Sequence, residues 1–219
     1  MNSLADAVEV IRRFERGSLT EQLGALERQL RGLRSDETPP IIESAGISPT
    51  LWAAAMVLKR AAAQVNTLVH GTGVLLALPR ILAQDEFIIN LSLGAGNTGR
   101  EFDLETNLRI AEFSFIDWQG GAESIRQNNL FDDFFRLAEA KTEKTRYLYA
   151  KGLAHPLQFL QGGRALQSVM SRKESLRARF RSLHGGHFRT VREYYQFRKD
   201  RVQLVDLLQV VPELAPLAG

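Results

Sequence analysis

The sequence predicts an α/β fold, and three observations carry that prediction. First, Glu86 to Ile116, EFIINLSLGAGNTGREFDLETNLRIAEFSFI, reads as three short strands: Glu86 to Leu93, then Phe102 to Thr106 and Arg109 to Ile116 as a hairpin about Thr106-Asn107. These runs are rich in Ile, Phe and Leu and are bounded by turn-forming residues, as strands are. Second, Ala122 to Ala140 places Ile125, Leu130, Phe134 and Leu137 on one side, widened by Phe131 and Phe135, which is the period of an amphipathic helix. Third, Arg146 to Ala150, RYLYA, is a short β-prone run that supplies one more strand after this helix.

Bulk composition bounds the rest. The chain has 219 residues, 44% of them hydrophobic and 24% charged, which suits one globular domain with an appendage. Zero cysteines exclude disulfides, thiol catalysis and thiolate metal sites. No apolar run of bilayer-spanning length is expected, and the N-terminus lacks the apolar centre and cleavage site of a signal peptide. A cytoplasmic protein of bacterial style, without membrane association, is the expectation. The net charge of +3 hides an asymmetry, because eleven Arg and Lys stand against three acids between Arg164 and Arg201. The remainder of the chain is therefore net acidic.

Residues 1–47 are expected to form a helical hairpin and linker. Ala5 to Arg16 carries Val8, Ile11 and Phe14 on one side and ends at Gly17. Ser18-Leu19-Thr20-Glu21 is a capping box that opens a second helix. Leu19, Leu23, Leu26, Leu30 and Leu33 then form a short heptad seam, able to pack on its own domain or to join two copies as a homodimer. Ser35 to Ser48, with Pro39-Pro40 and Gly46, reads as a linker.

Residues 48–153 are expected to form the α/β core. Ser48-Pro49 opens an Ala-rich helix to about Val69 whose only charges are Lys59 and Arg60. His70-Gly71-Thr72-Gly73 reads as a break before a second apolar helix, Val74 to Ala83, with His70 as a cap or structural hydrogen-bonder. The loop LGAGNTGR, Leu93 to Arg100, lacks the Lys-Ser/Thr ending of a phosphate loop and leads into a strand, so its glycines are read as allowing close backbone approach.

Side chains alternate across a strand, so Asp103 and Glu105 share one face opposite Phe102 and Leu104, while Glu112 and Ser114 oppose Phe113 and Phe115. Carboxylates converging from adjacent strands repel, and a hard divalent cation such as Mg2+ or Mn2+ relieves that repulsion. Asp103 and Glu112 are the candidate ligands. The alternative is that both decorate the wet side of a half-buried antiparallel pair.

Residues 154–219 read as a basic helical region, with helices separated by Gly162-Gly163 and Gly185-Gly186. Ser168 to Leu183 is Arg-rich, and Arg189 to Arg201 interleaves cations with Tyr194, Tyr195 and Phe197 after Phe188. Clustered cations release counterions from a phosphate backbone and aromatics stack on unpaired bases, so nucleic acid is the expected partner. Arg100, Arg172, Lys173, Arg177, Arg179, Arg181, Arg192, Arg198 and Lys199 are the candidate contacts. The alternative is an amphipathic helical extension with an Arg-rich polar face. His184 and His187 flank a glycine pair without an evident carboxylate nearby, which argues against a metal there. Val202 to Leu217 reads as a closing apolar helix.

Asp103 at the end of one strand, Glu112-Phe113-Ser114 on the next, a helix from near Ala122 and a strand at Arg146 to Ala150 resemble the restriction-endonuclease-like PD-(D/E)XK nuclease superfamily. The resemblance covers roughly residues 51–152. It implies a mixed sheet with flanking helices in the order α-β-β-β-α-β, metal held by Asp103, Glu112 and the Phe113 carbonyl, and Mg2+-dependent phosphodiester hydrolysis of DNA. It also implies a lysine where this chain has Ser114. Serine is neutral and cannot replace an ammonium beside a phosphate. Cleavage has been lost, or a cation has migrated in from the next helix, or residue 114 has been altered from lysine. Arg126 and Lys144 are the candidate migrated cations. Gln127 with Phe131 resembles the Gln-x-x-x-Tyr helix of RecB-like nucleases, where the Gln lies beside the active site. Two other classes stay open: a silent nucleic-acid-binding or interaction module of a defence or repair assembly, and an α/β scaffold that binds a protein partner through the leucine seam.

Overall fold

The computed structural model describes residues 3–15, 17–94, 101–116, 118 and 124–215. Arg100, most of the glycine-rich loop and the expected helix start at Ala122 lie outside the described residues. The chain packs as two compact units, Met1–Asn66 and Thr67–Gly219.

The first unit is helical. α1 (Leu4–Phe14) is opened by a complete capping box, Ser3 with Asp6. α2 (Leu19–Leu30) is capped by Ser18, whose hydroxyl accepts the Glu21 amide at 3.4 Å. The expected linker contains a helix of its own, α3 (Thr38–Ser44), started by the proline pair at its first turn. α4 (Pro49–Ile81) begins in this unit, capped by Ser48 at 3.2 Å from the Leu51 amide. No residue of α2 is buried, and its Leu23 and Leu26 line a cavity of 560 Å3 among α1, α2 and the start of α4.

α4 corrects the expected break at residues 70–73, because it runs unbroken to Ile81. Its glycines serve close approach instead. A Cβ on Gly73 would overlap the Phe115 ring, and one on Gly71 would lie 3.2 Å from the Leu93 carbonyl oxygen. Continuity also makes this helix long and apolar enough, by length and composition alone, to cross a membrane, contrary to the expectation from apolar runs.

The second unit is built on one mixed sheet, ordered β1 (Ile88–Leu91), β2 (Leu104–Thr106), β3 (Arg109–Ser114), β4 (Thr145–Ala150) and β5 (Gln203–Asp206). The first three strands are antiparallel neighbours, whereas β4 and β5 run parallel to β3. The crossover from β3 to β4 contains α5 (Ser124–Ala138), which ends two residues earlier than expected. Between β4 and β5 lie α6 (Ala154–Leu160), α7 (Leu166–Val169), α8 (Glu174–His184) and α9 (Val191–Arg198), and α10 (Leu207–Val210) follows β5. The expected closing helix from Val202 is thus a strand followed by short helices. A strand with neighbours on its faces reads as an apolar run, which periodicity alone cannot tell from a buried helix.

Two apolar layers cover the sheet. One face carries Ile110 and Leu148 against Leu130, Phe131, Phe134 and Phe135 of α5, with Phe180 and Tyr194 from the C-terminal helices. The other carries Leu104, Ala111, Phe113 and Tyr149 against Val74, Ala77 and Leu78 of α4, with Leu207 and Val211. Phe102 packs with the first layer and not beside Leu104, because it precedes β2 on a bend where strand alternation no longer applies.

Candidate metal centre

The β2–β3 register pairs Leu104 with Ala111 and Glu105 with Ile110, and Asp103, on the bend that leads into β2, brings its carboxyl beside Glu112 of β3. The two carboxyls lie within hydrogen-bonding reach of each other. Asp103 Oδ2 also accepts the Phe113 amide at 3.0 Å, which fixes the side chain across the strand pair. The acids differ in burial, Asp103 and Glu105 being partly exposed. Glu112 is 4% exposed, covered by the α5 layer.

Burial pushes the Glu112 carboxyl up, and the negative charges of Asp133 and Asp103 push it further, against the pull of Arg136. Arg136, from the last turn of α5, places Nη1 2.8 Å from Glu112 Oε1 and Nη2 2.8 Å from Asp133 Oδ1. Its Nη1 also donates to the Glu101 carbonyl. The contact with Glu112 is close but misaligned: Glu112 Oε1 and Arg136 Nε are both buried without a hydrogen-bond partner, as is Ser114 Oγ on the same strand face. Asp132 sits beside this group, with Oδ1 3.9 Å from Arg136 Nε and Oδ2 2.7 Å from Lys173 Nζ.

From the other side, α4 brings His70 Nε2 to 3.5 Å from Asp103 Oδ1, an ion-pair distance without hydrogen-bond alignment. The Asp103 carboxylate raises the His70 imidazole above its ordinary value, with burial working against it. Gly71 and Gly73 permit this approach, so the motif read as a helix break is a packing device that delivers His70 to the acids.

The other sequence candidates lie elsewhere. Lys144 Nζ is 2.8 Å from Glu105 Oε1, beyond the Thr145 end of β4, while Glu112 aligns with Leu148 further along. Arg126 sits in the first turn of α5, ten residues before Arg136, about 15 Å along the helix. Gln127 accepts a hydrogen bond from Arg164. The cation beside Glu112 is therefore Arg136. Its sequence signal was present as Asp132-Asp133 followed three and four residues on by Arg136, a spacing that gathers all three on one helix face.

The basic region is partly spoken for. Tyr194 and Tyr195 are buried, and Phe188 packs on the first apolar layer, so these three are core and not stacking platforms. Phe197 is 55% exposed. Arg198 is bound to Glu139 and Lys173 to Asp132. Arg172, Arg177, Arg179, Arg181, Arg192 and Lys199 are exposed. A carboxylate does lie near His184 after all: Glu139 Oε1 is 3.0 Å from its Nε2, inside a cage of aromatic rings.

Tested against a divalent metal, the residues fit in kind, offering hard oxygen donors, surplus negative charge and a buried oxygen without a hydrogen bond. Among the described residues, no group of three or more His, Asp or Glu side chains is arranged to hold a metal. Comparison of the chain with protein-family models, with curated proteins and with solved structures finds no match.

Proposed function

We propose that this protein is a nuclease-like, Mg2+- or Mn2+-dependent phosphodiesterase acting on DNA, with a restriction-endonuclease-like core. The observation that carries the reading is the pair of carboxyls of Asp103, just before β2, and Glu112, on β3, within hydrogen-bonding reach of each other in an acidic cluster. The strand order, with two antiparallel pairings followed by a parallel one across α5, supports it further.

Asp103, Glu112 and the Phe113 carbonyl would hold the ion. When bound, a divalent ion lowers the pKa of a coordinated water and neutralises charge on the phosphate. His70 orients Asp103 by charge attraction across 3.5 Å. In the free protein Arg136 places beside Glu112 the positive charge that Ser114 lacks. The exposed arginines of α8 offer the phosphate backbone a screened, salt-sensitive footing.

A second reading is a nucleic-acid-binding module without turnover. It is favoured by Ser114 at the lysine position and by Arg136 closing the acids. Nicking of supercoiled DNA in Mn2+ by this chain, by Ser114→Lys, and by Asp103→Ala in each background tests both. The nuclease reading expects nicking that Ser114→Lys raises and Asp103→Ala abolishes. Cleavage that survives Asp103→Ala overturns it, and salt-sensitive DNA binding with no nicking by any variant establishes the second reading.

A further inference from the structure

We infer that the acidic site takes one cation at a time: the Arg136 guanidinium in the free protein, and a divalent ion once a phosphate backbone has drawn Lys173 and Arg179 off their acids. This inference rests on the metal reading above and adds its regulation.

The manner in which Arg136 is held carries the first step. Elsewhere in the unit a guanidinium meets a carboxylate squarely, as Arg109 does with Glu86 through Nε and Nη2, both at 2.5 Å. Arg136 instead lies 2.8 Å from Glu112 Oε1 without hydrogen-bond alignment, and its own Nε has no partner. Its directed bonds go to the Glu101 carbonyl and to Asp133 Oδ1 at 2.8 Å, and none goes to Glu112. A divalent ion between Asp103 and Glu112 brings more charge to the same oxygens, and two cations cannot share them. Metal binding therefore displaces Arg136.

The second step is where Arg136 goes. Asp132 is one turn back on the same helix, 3.9 Å from Arg136 Nε, and is the natural acceptor. In the free protein Asp132 is engaged by Lys173 at 2.7 Å, from the residue just before α8. Glu101, whose carbonyl holds Arg136 Nη1, is tied in turn to Arg179 of α8 at 3.6 Å. The acceptor Asp132 and the Glu101 tether thus both lead to cations of the basic region, for which phosphates compete, while the hydrogen bond to Asp133 keeps the guanidinium within reach of either acid. When Lys173 turns to a phosphate, Asp132 is freed to receive Arg136, and Glu112 is opened to metal.

Linkage makes the coupling reciprocal, so nucleic acid must tighten metal by the same factor that metal tightens nucleic acid. The probe is Mn2+ itself, with free ion followed by electron paramagnetic resonance. The full chain is titrated with and without a short single-stranded oligonucleotide of uncleavable phosphorothioate linkages, whose own Mn2+ uptake is subtracted. The expected result is Mn2+ affinity about tenfold tighter with the oligonucleotide, within the usual range of such couplings. Arg136→Gln should bind Mn2+ as tightly without oligonucleotide and gain nothing from it. Lys173→Gln, at a site outside the core, should capture part of the gain and reports independently should Arg136→Gln fold poorly. Equal Mn2+ affinity in all three proteins, with no effect of oligonucleotide, overturns the inference and leaves the metal reading standing. No Mn2+ binding by any of them removes both.

Discussion

Glu139 and Glu112 are two carboxylates of the same unit with nearly equal burial, 7% and 5% of the side chain exposed, and each lies beside an arginine. They are otherwise opposites. Glu139 Oε1 takes the Tyr194 hydroxyl at 2.8 Å and Arg198 Nε at 2.8 Å, and Oε2 takes Arg198 Nη2 at 3.1 Å. Burial raises its carboxyl, but those hydrogen bonds and the nearby charges more than offset that, and the net shift is downward. Glu112 has an arginine at the same distance and a net shift upward, because burial and two neighbouring acids dominate and the guanidinium is misaligned. Burial and an adjacent cation therefore do not fix the direction in which a carboxylate shifts. Completeness of hydrogen bonding does.

The largest expected effect breaks the Glu139 side. Glu139→Ala leaves Arg198 and His184 without their buried partner and should cost about 3–5 kcal/mol by urea denaturation. Glu112→Gln should cost under about 1 kcal/mol at neutral pH, since its carboxyl already favours the protonated form. Equal losses at the two positions would erase the distinction.

Next is Gly73→Ala. Its new Cβ meets the Phe115 ring, and the resulting shift of α4 should cost about 1–3 kcal/mol and draw His70 away from Asp103. An NMR titration of His70 should then show its pKa falling back toward the ordinary value of 6.5.

Proton linkage gives the two carboxylates opposite signs. The lowered Glu139 contributes stability above its ordinary value of 4.5, and that stability is lost as pH falls through its folded pKa. The raised Glu112 does the reverse: it costs nothing below 4.5 and weighs increasingly against folding as pH climbs from there toward its folded pKa. Urea midpoints measured across this range should thus move in favour of Glu112→Gln, relative to the parent, as pH rises.

A further contrast sets two single hydroxyls side by side. Tyr194→Phe deletes a bond to an ionised carboxylate and should cost about 1.5–3 kcal/mol, whereas Ser114→Ala deletes a buried hydroxyl that has no partner and should be neutral or slightly stabilising.

The alternation of Glu112 and Ser114 against Phe113 was legible because strand side chains repeat with a period of two. The aromatic face of α5 and the strand RYLYA were legible for the same kind of reason, a local period. Arg136 was not, because its role depends on where a crossover helix lands on the sheet, and spacing along that helix does not reveal which strand it meets. β5 was hidden by covered faces that remove alternation, and Tyr194 and Tyr195 by a region whose charge suggested a surface. His70 was masked by glycines that signal a break in sequence but serve close packing in the fold.

The most direct test of the central claim is thermal unfolding of the full chain in rising Mg2+ or Mn2+, set beside Asp103→Ala. A ligand bound only by the native state raises its stability with concentration. The account predicts a saturating rise in Tm for the parent that Asp103→Ala abolishes. The same Tm response in both proteins, or none in either, would contradict it.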